Sequence, residues 1–238
     1  MSSRSVIELR QNGPIIDIGS VAALAIRPPG SALPQRVGQA LALAGKGLEG
    51  DVHADPLSPR QVLLAGRPAY DTLDLPAHAL RENLLLDIDT APLRSGTVLQ
   101  VGDEVLLRLM FQCEACGRLD LQRQGLARAL GARRGILARV VAGGAIRPGD
   151  RVHALGPSLP AWSDDWRERV RQVLDAVPPG QALEYRQLAR LAGIATTYCR
   201  AFPALLRRLG GGYAVRAVAA REAPERPRWD GRGLFGQA

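Results

Sequence analysis

The chain has 238 residues with a formal net charge of +8, and hydrophobic residues make up 46% of it. This length allows one large domain or two ordinary ones, with enough apolar residues for a substantial core. No apolar run approaches the length that spans a bilayer and the first residues show no signal-peptide pattern, so we expect a cytoplasmic protein without a membrane partner.

The positive charge is carried almost entirely by arginine, since Lys46 is the one lysine. Codon bias in a GC-rich genome explains this composition as well as an anionic partner does. The excess of arginine over acidic residues is greater in the last third of the chain. That distribution is typical of a module that faces nucleic acid.

Short apolar, β-compatible runs recur through the first two thirds of the chain, separated by Gly, Pro and Asp turns. The predicted strands are residues 14–18, 21–26, 60–64, two runs within 97–107, 105–111, 135–141 and 145–153, and one helix is predicted over 122–130. Many short strands at even spacing favour a β-barrel or sandwich. Residues 1–157 are therefore predicted to form a mainly β, barrel-like domain.

Two of the three cysteines, Cys113 and Cys116, stand in a Cys-x-x-Cys spacing directly after the predicted strand 105–111. A thiol on a loop at the end of a strand is held by a rigid scaffold yet remains reachable, as reactive groups tend to be. Three cysteines make no disulfide framework, and a structural zinc site would need a second pair of ligands. Reactivity, metal ligation and simple burial remain open for both thiols.

Several motifs around these cysteines occur in an order that resembles one family, the MOSC domains of molybdenum-cofactor sulfurases and small bacterial proteins. The motifs are residues 47–53 (Gly-Leu-Glu-Gly-Asp-Val-His), 60–62, 81–83 (Arg-Glu-Asn), 101–103, 113–116, 134–140 and 148–152. The resemblance covers roughly residues 15 to 155. It implies a β-barrel-like domain and a thiol, at Cys116, that carries sulfur or ligates the molybdenum of the pterin cofactor.

The same resemblance implies a set of site residues around Cys116. Arginines suit the phosphate of a pterin cofactor through bidentate contacts, and a thiolate is a soft metal ligand and a nucleophile for persulfide transfer. The predicted cofactor-binding residues are Arg60, Arg81, Asn83, Cys113 and Arg134, with His53 and Glu82 as catalytic or supporting groups beside Cys116.

Structural roles are open for several of these residues. His53 could brace its loop, and Arg81 with Glu82 could form an internal pair that fixes a loop. Gly50 and Asp51 are typical of a turn in which the Asp side chain binds its own backbone.

The last part of the chain is predicted to be helical. After a linker at 156–160, helices are expected near 163–177, 184–191 and 197–209, followed by a β-prone run at 213–218. This order favours a winged-helix domain over residues 163–220. Residues 221–238 are rich in Pro, Gly and Arg and are predicted to be a loosely ordered tail.

Residues 177–193 are similar to the start of the DNA-binding domain of O6-alkylguanine-DNA alkyltransferases and alkyltransferase-like proteins. The resemblance implies that Tyr185 rotates a target nucleotide and that Arg200 fills the vacated stack. Arg207 is predicted to contact DNA phosphates because it adds basic surface to the same predicted helix. The family's nucleophilic cysteine and activating histidine fall on Ala214 and Val215. Alkyl transfer is therefore excluded.

Two functions follow from these resemblances. The first is a molybdenum-cofactor-binding or sulfur-carrying protein centred on Cys116, whose substrates would be N-hydroxylated, nucleobase-like compounds. The alternative is a non-enzymatic protein that binds DNA or senses lesions through its C-terminal domain. The sequence predicts no oligomeric state.

Overall fold

A computed structural model describes residues 14–115, 117–156, 159–220, 223 and 225–236. The chain divides into two compact units: one comprises Arg60–Ala161 with the chain up to Pro56, and the other comprises Trp162–Ala238 with the short segment Leu57–Pro59. The division falls between Ala161 and Trp162, within the interval left between the two predicted domains. None of the described helices is long and apolar enough to cross a membrane.

The N-terminal unit is built from short strands. They are β1 (Ile15–Ile26), β2 (Gln35–Val37), β3 (Ala40–Leu43), β4 (Gly47–Leu48), β5 (Val62–Gly66), β6 (Leu84–Leu86), β7 (Val98–Val101), β8 (Val105–Gln112), β9 (Ile136–Ala142), β10 (Gly144–Ile146) and β11 (Arg151–Leu155). Its helices are α1 (Arg67–Leu73), α2 (Gly117–Asp120) and α3 (Leu126–Leu130), with a 3-10 turn at Gly131–Arg134.

Seven of these strands close into a barrel. They run in the order β11, β7, β8, β9, β5, β6, β1, and β1 pairs back onto β11. β2 extends the edge beside β1, while β10, β3 and β4 form a separate small sheet. Closure removes the exposed sheet edges that would otherwise pair with other chains. The predicted barrel is confirmed.

A single bent strand makes this closure. The sequence predicted two short strands, at 14–18 and 21–26, but β1 continues through both and pairs first with β11 and then with β6. The register shifts between Asp17 and Gly19, where Gly19 has a φ of 146°. A side chain at Gly19 would meet the Asp87 carboxylate at 2.4 Å. Glycine therefore allows β1 to bend and to pair with both β11 and β6.

The barrel interior is filled by aliphatic side chains that alternate along each strand. On β5 and β9, Val62, Leu64, Ile136 and Ala138 belong to this core. Because side chains in a strand alternate between faces, the residues between them point outward. Part of the outer face carries a second, smaller apolar cluster in which residues of α1, α2 and α3 pack against Ala65 of β5.

The helices of this unit were predicted less well than the strands. α1 was not predicted, and the helix expected over 122–130 is shorter, running from Leu126 to Leu130. Gly125 precedes it with a φ of 79°, a left-handed conformation that a helix cannot continue through.

The C-terminal unit contains α4 (Trp166–Asp175), α5 (Tyr185–Ala192) and α6 (Phe202–Leu209), with a 3-10 turn at Thr196–Ala201. Asp165 caps α4 by accepting a hydrogen bond from the Arg167 amide, and Gly193 ends α5 in the left-handed region. Apolar residues at helical spacing on these three helices are buried in its core: Val170, Leu174, Leu188, Leu191, Leu205 and Leu206.

The β-prone run at 213–218 is only partly a strand. Tyr213–Val215 form a 3-10 turn, and the short strand β13 (Ala217–Val218) pairs in parallel with β12 (Leu183–Glu184). Gly212 precedes the turn with a φ of 82°, which starts a tight turn rather than an extended strand. Ala214 and Val215 therefore lie on a turn, and the winged-helix assignment stays a prediction.

The described part of the tail is packed, in contrast to the loose order predicted from its composition. The Ala182 amide donates to the Pro227 carbonyl, and the Trp229 amide donates to the Ala182 carbonyl. The rings of Trp162 and Phe235 stack with centroids 5.3 Å apart. These contacts offset the conformational entropy that is lost when the tail becomes ordered. The Pro- and Gly-rich composition had suggested that this loss would keep the tail loosely ordered.

Replacing Leu64 by Ala should lower the free energy of unfolding of the N-terminal unit by about 2–5 kcal/mol, because it leaves a cavity in the barrel core. Urea denaturation followed by circular dichroism measures the change. The matched control is Leu121→Ala, since Leu121 is 87% exposed and should change stability by no more than about 0.5 kcal/mol. Equal effects of the two substitutions would contradict this packing.

Candidate functional site

A cavity of about 360 Å³ lies against the outer face of the barrel and is lined by Arg27, His53, Arg60, Leu63, Arg81, Cys113, Arg134 and Leu137. Leu63 and Leu137 are cross-strand neighbours on β5 and β9. Their neighbours along each strand fill the barrel interior, so these two side chains point outward and form an apolar part of the cavity wall.

The remaining lining residues come from loops that meet at this face. Arg27 follows β1, Arg60 precedes β5, Cys113 follows β8 and Arg134 precedes β9. Gly135 allows the loop that carries Arg134 to lie close to β5. Its φ is 112°, and a side chain there would lie 2.3 Å from the Leu64 carbonyl oxygen. Any other residue at this position would require the backbone of this loop or of β5 to shift.

Positive charge dominates this cavity. Four arginines and one histidine line it, and no Asp or Glu is among the described lining residues. Arg134 is only 8% exposed. Its Nε and Nη1 atoms have no hydrogen-bond partner among the described residues. A buried guanidinium with unused donors is costly unless a ligand supplies acceptors.

Arg81 lines the cavity from a strained backbone position. Its φ of 56° lies in the left-handed region, which costs a non-glycine residue about 1–3 kcal/mol. Its Nη2 donates a hydrogen bond to the Ala32 carbonyl at 2.6 Å. Strain of this kind persists where the surrounding structure fixes the residue, and it often marks a functional position.

Cys113 is the thiol that the described structure places at the cavity. It is 5% exposed, and its Sγ lies 3.9 Å from Nη2 of Arg60. Cys116, the predicted catalytic and metal-binding residue, lies outside the described residues, so its role stays a prediction. In the chain it directly precedes α2, whose Leu119 packs in the outer apolar cluster.

A buried carboxylate holds two of the lining residues in place. Asp51 accepts hydrogen bonds from the backbone amides of Arg27 at 2.9 Å and His53 at 2.8 Å. It also accepts one from Nδ2 of Asn83 at 2.8 Å. The predicted turn at Gly50 and Asp51 is therefore present, and its carboxylate also joins distant loops.

Two predicted site residues do not line the cavity. Asn83 is buried, and its Oδ1 accepts from the Leu63 amide at 3.0 Å while its Nδ2 bonds to Asp51. Glu82 is also buried, and it accepts a hydrogen bond from the Tyr70 hydroxyl. Successive side chains point in different directions, so Glu82 and Asn83 point away from the cavity that Arg81 lines. Their hydrogen bonds fix the backbone on which Arg81 is held.

Three lining residues were not selected from the sequence: Arg27, Leu63 and Leu137. Arg27 could have been found, since it is a charged residue placed between the apolar run 21–26 and Pro28. Leu63 and Leu137 gave no signal, because a leucine in a strand is most often core. Among the described residues, no three His, Cys, Asp or Glu side chains cluster as a metal site would require.

The pKa values of two histidines of this unit, His53 and His78, are shifted in opposite directions. Desolvation by the surrounding protein is the main cause that lowers the pKa of His53, and the Arg27 guanidinium lowers it further. The residue nevertheless keeps contact with solvent. Nη2 of Arg27 lies 2.6 Å from Nε2 of His53. A guanidinium only donates, so the ring accepts at Nε2 and is neutral. The pKa of His78 is raised, first by its hydrogen bond to Glu82.

These shifts have opposite consequences for stability. Folding lowers the pKa of His53, so the unfolded chain binds this proton more readily and stability falls as pH drops below about 6.5. Folding raises the pKa of His78, so its contribution is present below about 6.5 and is lost as pH rises through the folded value.

The three residues predicted to contact DNA differ in their exposure to solvent. Tyr185 begins α5, and its ring packs edge-on against Phe202 with centroids 5.5 Å apart. Arg200 lies on the 3-10 turn before α6 and Arg207 lies on α6, both exposed. The two arginines are accessible to a ligand, while Tyr185 is half-buried in the packing of its own unit.

An NMR titration of the imidazole signals should show His53 titrating at lower pH than His78. Arg27→Gln should move the pKa of His53 upward, because it removes a neighbouring positive charge, and should leave His78 unchanged. The upward movement should be partial, since burial of the ring remains. Titration of His53 above His78 would contradict the geometry described for both.

Known structures share this fold. The YuaD protein from Bacillus subtilis is 17% identical, with 61% of this chain and 100% of that chain covered and a TM-score of 0.51. A hypothetical protein of known crystal structure is 19% identical, with 81% and 91% covered and a TM-score of 0.51. YiiM from Geobacillus stearothermophilus is 15% identical, with 81% and 100% covered and a TM-score of 0.49. At such identities the first two show the fold alone.

No curated protein matches the sequence. The sequence profile of the MOSC domain matches residues 58–153. This range includes four of the residues that line the cavity with polar side chains: Arg60, Arg81, Cys113 and Arg134. The chain therefore carries a MOSC domain at residues 58–153.

Proposed function

We propose that the arginine-lined cavity binds an anionic cofactor, the molybdenum cofactor, or holds a sulfur-carrying thiol, with Cys116 as the metal ligand or persulfide carrier. The observation that carries this proposal is the buried guanidinium of Arg134, whose Nε and Nη1 have no acceptor among the described residues. Such a group is stabilised by an anion that accepts both hydrogen bonds.

The residues present fit a phosphate-bearing group. Guanidinium groups bind phosphate oxygens through paired hydrogen bonds, and the cavity offers four of them. Its volume of about 360 Å³ lies within the range of small-molecule sites. The outward-facing Leu63 and Leu137 add apolar surface for a ring system.

The position of Cys116 supports the second part of the proposal. It lies three residues beyond Cys113, which lines the cavity, and it matches the cysteine of the MOSC resemblance. A thiolate is a soft ligand suited to molybdenum, and it is also the nucleophile that persulfide transfer requires.

When bound, the cofactor would supply a metal centre that exchanges electrons or an oxygen atom with the substrate. The chain would contribute binding and orientation: Arg134 and Arg81 would hold the anion, and neutral His53 would orient the Arg27 guanidinium by accepting its hydrogen bond at Nε2. N-hydroxylated, nucleobase-like compounds are the proposed substrates.

Molybdenum content tests this function directly. Protein purified from a host that makes the cofactor should contain close to one equivalent of molybdenum, measured by elemental analysis. Cys116→Ala should lose the metal if the thiol ligates it, and Arg134→Gln should reduce its retention about 10-fold or more, because a charge-assisted contact is lost.

Arg133→Gln is the matched control, since Arg133 precedes Arg134 in the chain and does not line the described cavity. It should retain wild-type metal content. Equal metal in the wild type, Cys116→Ala and Arg134→Gln would contradict the cofactor site.

DNA binding by the C-terminal unit is the second candidate. The observation that favours it is a set of exposed arginines on α5, α6 and the turn between them: Arg186, Arg190, Arg200, Arg207 and Arg208. Arginines presented in this way contact phosphates without requiring a particular base sequence.

Fluorescence anisotropy with a labelled duplex tests this candidate at two salt concentrations. Affinity should fall as salt rises, and Arg200→Ala should weaken binding several-fold at the lower concentration because one phosphate contact is removed. Arg128→Ala replaces an exposed arginine of the N-terminal unit and should have no effect. Affinity insensitive to both salt and Arg200→Ala would exclude this function.

A further inference from the structure

We propose that Cys113 is a sulfur-accepting thiol and that the cavity takes a small sulfane-sulfur dianion of the thiosulfate class as its sulfur donor. This inference rests on the sulfur-carrier form of the proposed function and names its donor and its first acceptor. It concerns a residue that the structure describes, and it requires no placement of Cys116.

The geometry brings a nucleophile and an anion site together. Cys113 lines the cavity with its Sγ 3.9 Å from Nη2 of Arg60. Arg134 lines the same cavity, more than nine-tenths buried, with two nitrogen atoms that have no partner among the described residues. A bound dianion would satisfy these donors and lie in the same space as the thiol.

The charge of the cavity selects the class of donor. Four arginines with no described acidic residue in the lining favour a dianion over a neutral or cationic thiol compound. The sulfonate end of thiosulfate offers three oxygen acceptors that match guanidinium donors. Its outer sulfur is then free to face Cys113.

The transfer is balanced without an added oxidant or reductant. The Cys113 thiol first loses its proton to water, and the thiolate attacks the outer sulfur of thiosulfate. A new S–S bond forms to Cys113 while the S–S bond of thiosulfate breaks, and its electron pair leaves with sulfite. The product on the protein is a persulfide anion, so the total charge is the same on both sides.

The surroundings of Cys113 suit such a product. The side chain is 5% exposed, and the neighbouring wall contains Leu63 and Leu137. Limited access of water and of other thiols protects a persulfide from loss, while the arginines stabilise its negative charge. The sulfur is thereby held at the cavity until an acceptor enters.

The experiment uses the full-length reduced protein with thiosulfate as the probe. Sulfite release is measured by quantitative assay, and the persulfide is located by alkylation and peptide mass mapping as a gain of one sulfur atom. Cyanide then serves as acceptor, taking the outer sulfur as thiocyanate and regenerating the thiolate.

Wild type and Cys199→Ser, which changes the cysteine of the C-terminal unit, should release about one equivalent of sulfite in the absence of acceptor, since Cys113 is the thiol that attacks the donor. Cys113→Ser should release less than about a tenth of that amount, because the nucleophile is gone. The mapped persulfide in wild type should lie on Cys113, which keeps the test valid even if a variant folds poorly.

Arg134→Gln should raise the thiosulfate concentration for half-maximal release by at least about 10-fold, because a charged donor to the anion is lost. Arg133→Gln should match wild type. Sulfite release from Cys113→Ser equal to that from wild type, no sulfite from wild type, or equal effects of the two arginine substitutions would each overturn the inference.

The outcome can be separated from that of the proposed function. Molybdenum bound normally without any sulfite release would overturn the present inference alone. Sulfite release from a protein that never contains molybdenum would overturn only the cofactor-binding form of the proposed function.

Discussion

The pairing of β1 with β11 closes the barrel, and the rest of the N-terminal unit depends on it. Because Gly19 lets β1 bend, the strand pairs with β11 in its first half and with β6 in its second. Closure fixes which face of β5 and β9 points inward. The outward face then carries Leu63 and Leu137 and becomes the surface on which the cavity forms.

The clearest sign of function at this surface is the unfavourable clustering of arginine side chains around one cavity. Burying the Arg134 guanidinium with two donors unsatisfied among the described residues, beside three further arginines that line the same cavity, works against folding. The barrel tolerates this cost because its core is large and aliphatic. An anion that binds the folded state would recover part of the cost, so ligand binding and stability are coupled here.

The Arg-Glu-Asn motif at 81–83 shows how neighbouring residues divide their roles. Arg81 lines the cavity, Glu82 binds Tyr70, and Asn83 binds Asp51 and the Leu63 amide. From the sequence, Arg81 and Asn83 were expected to bind the cofactor and Glu82 to be a catalytic or supporting group. In the fold, two of them are structural supports for the third, and the strained φ of Arg81 is the result.

Periodicity and turn residues act locally, so the sequence was enough to predict the barrel class, the positions of most strands and the helical character of the C-terminal unit. It also selected His53, Arg60, Arg81, Cys113 and Arg134, which the fold brings to one cavity. That Arg27 also lines the cavity, and that Glu82 and Asn83 do not, is seen only in the folded structure. Strand register and barrel closure decide which loops meet and which side chain of a motif faces a cavity. Both depend on residues that are distant in the chain, so they cannot be predicted from local sequence.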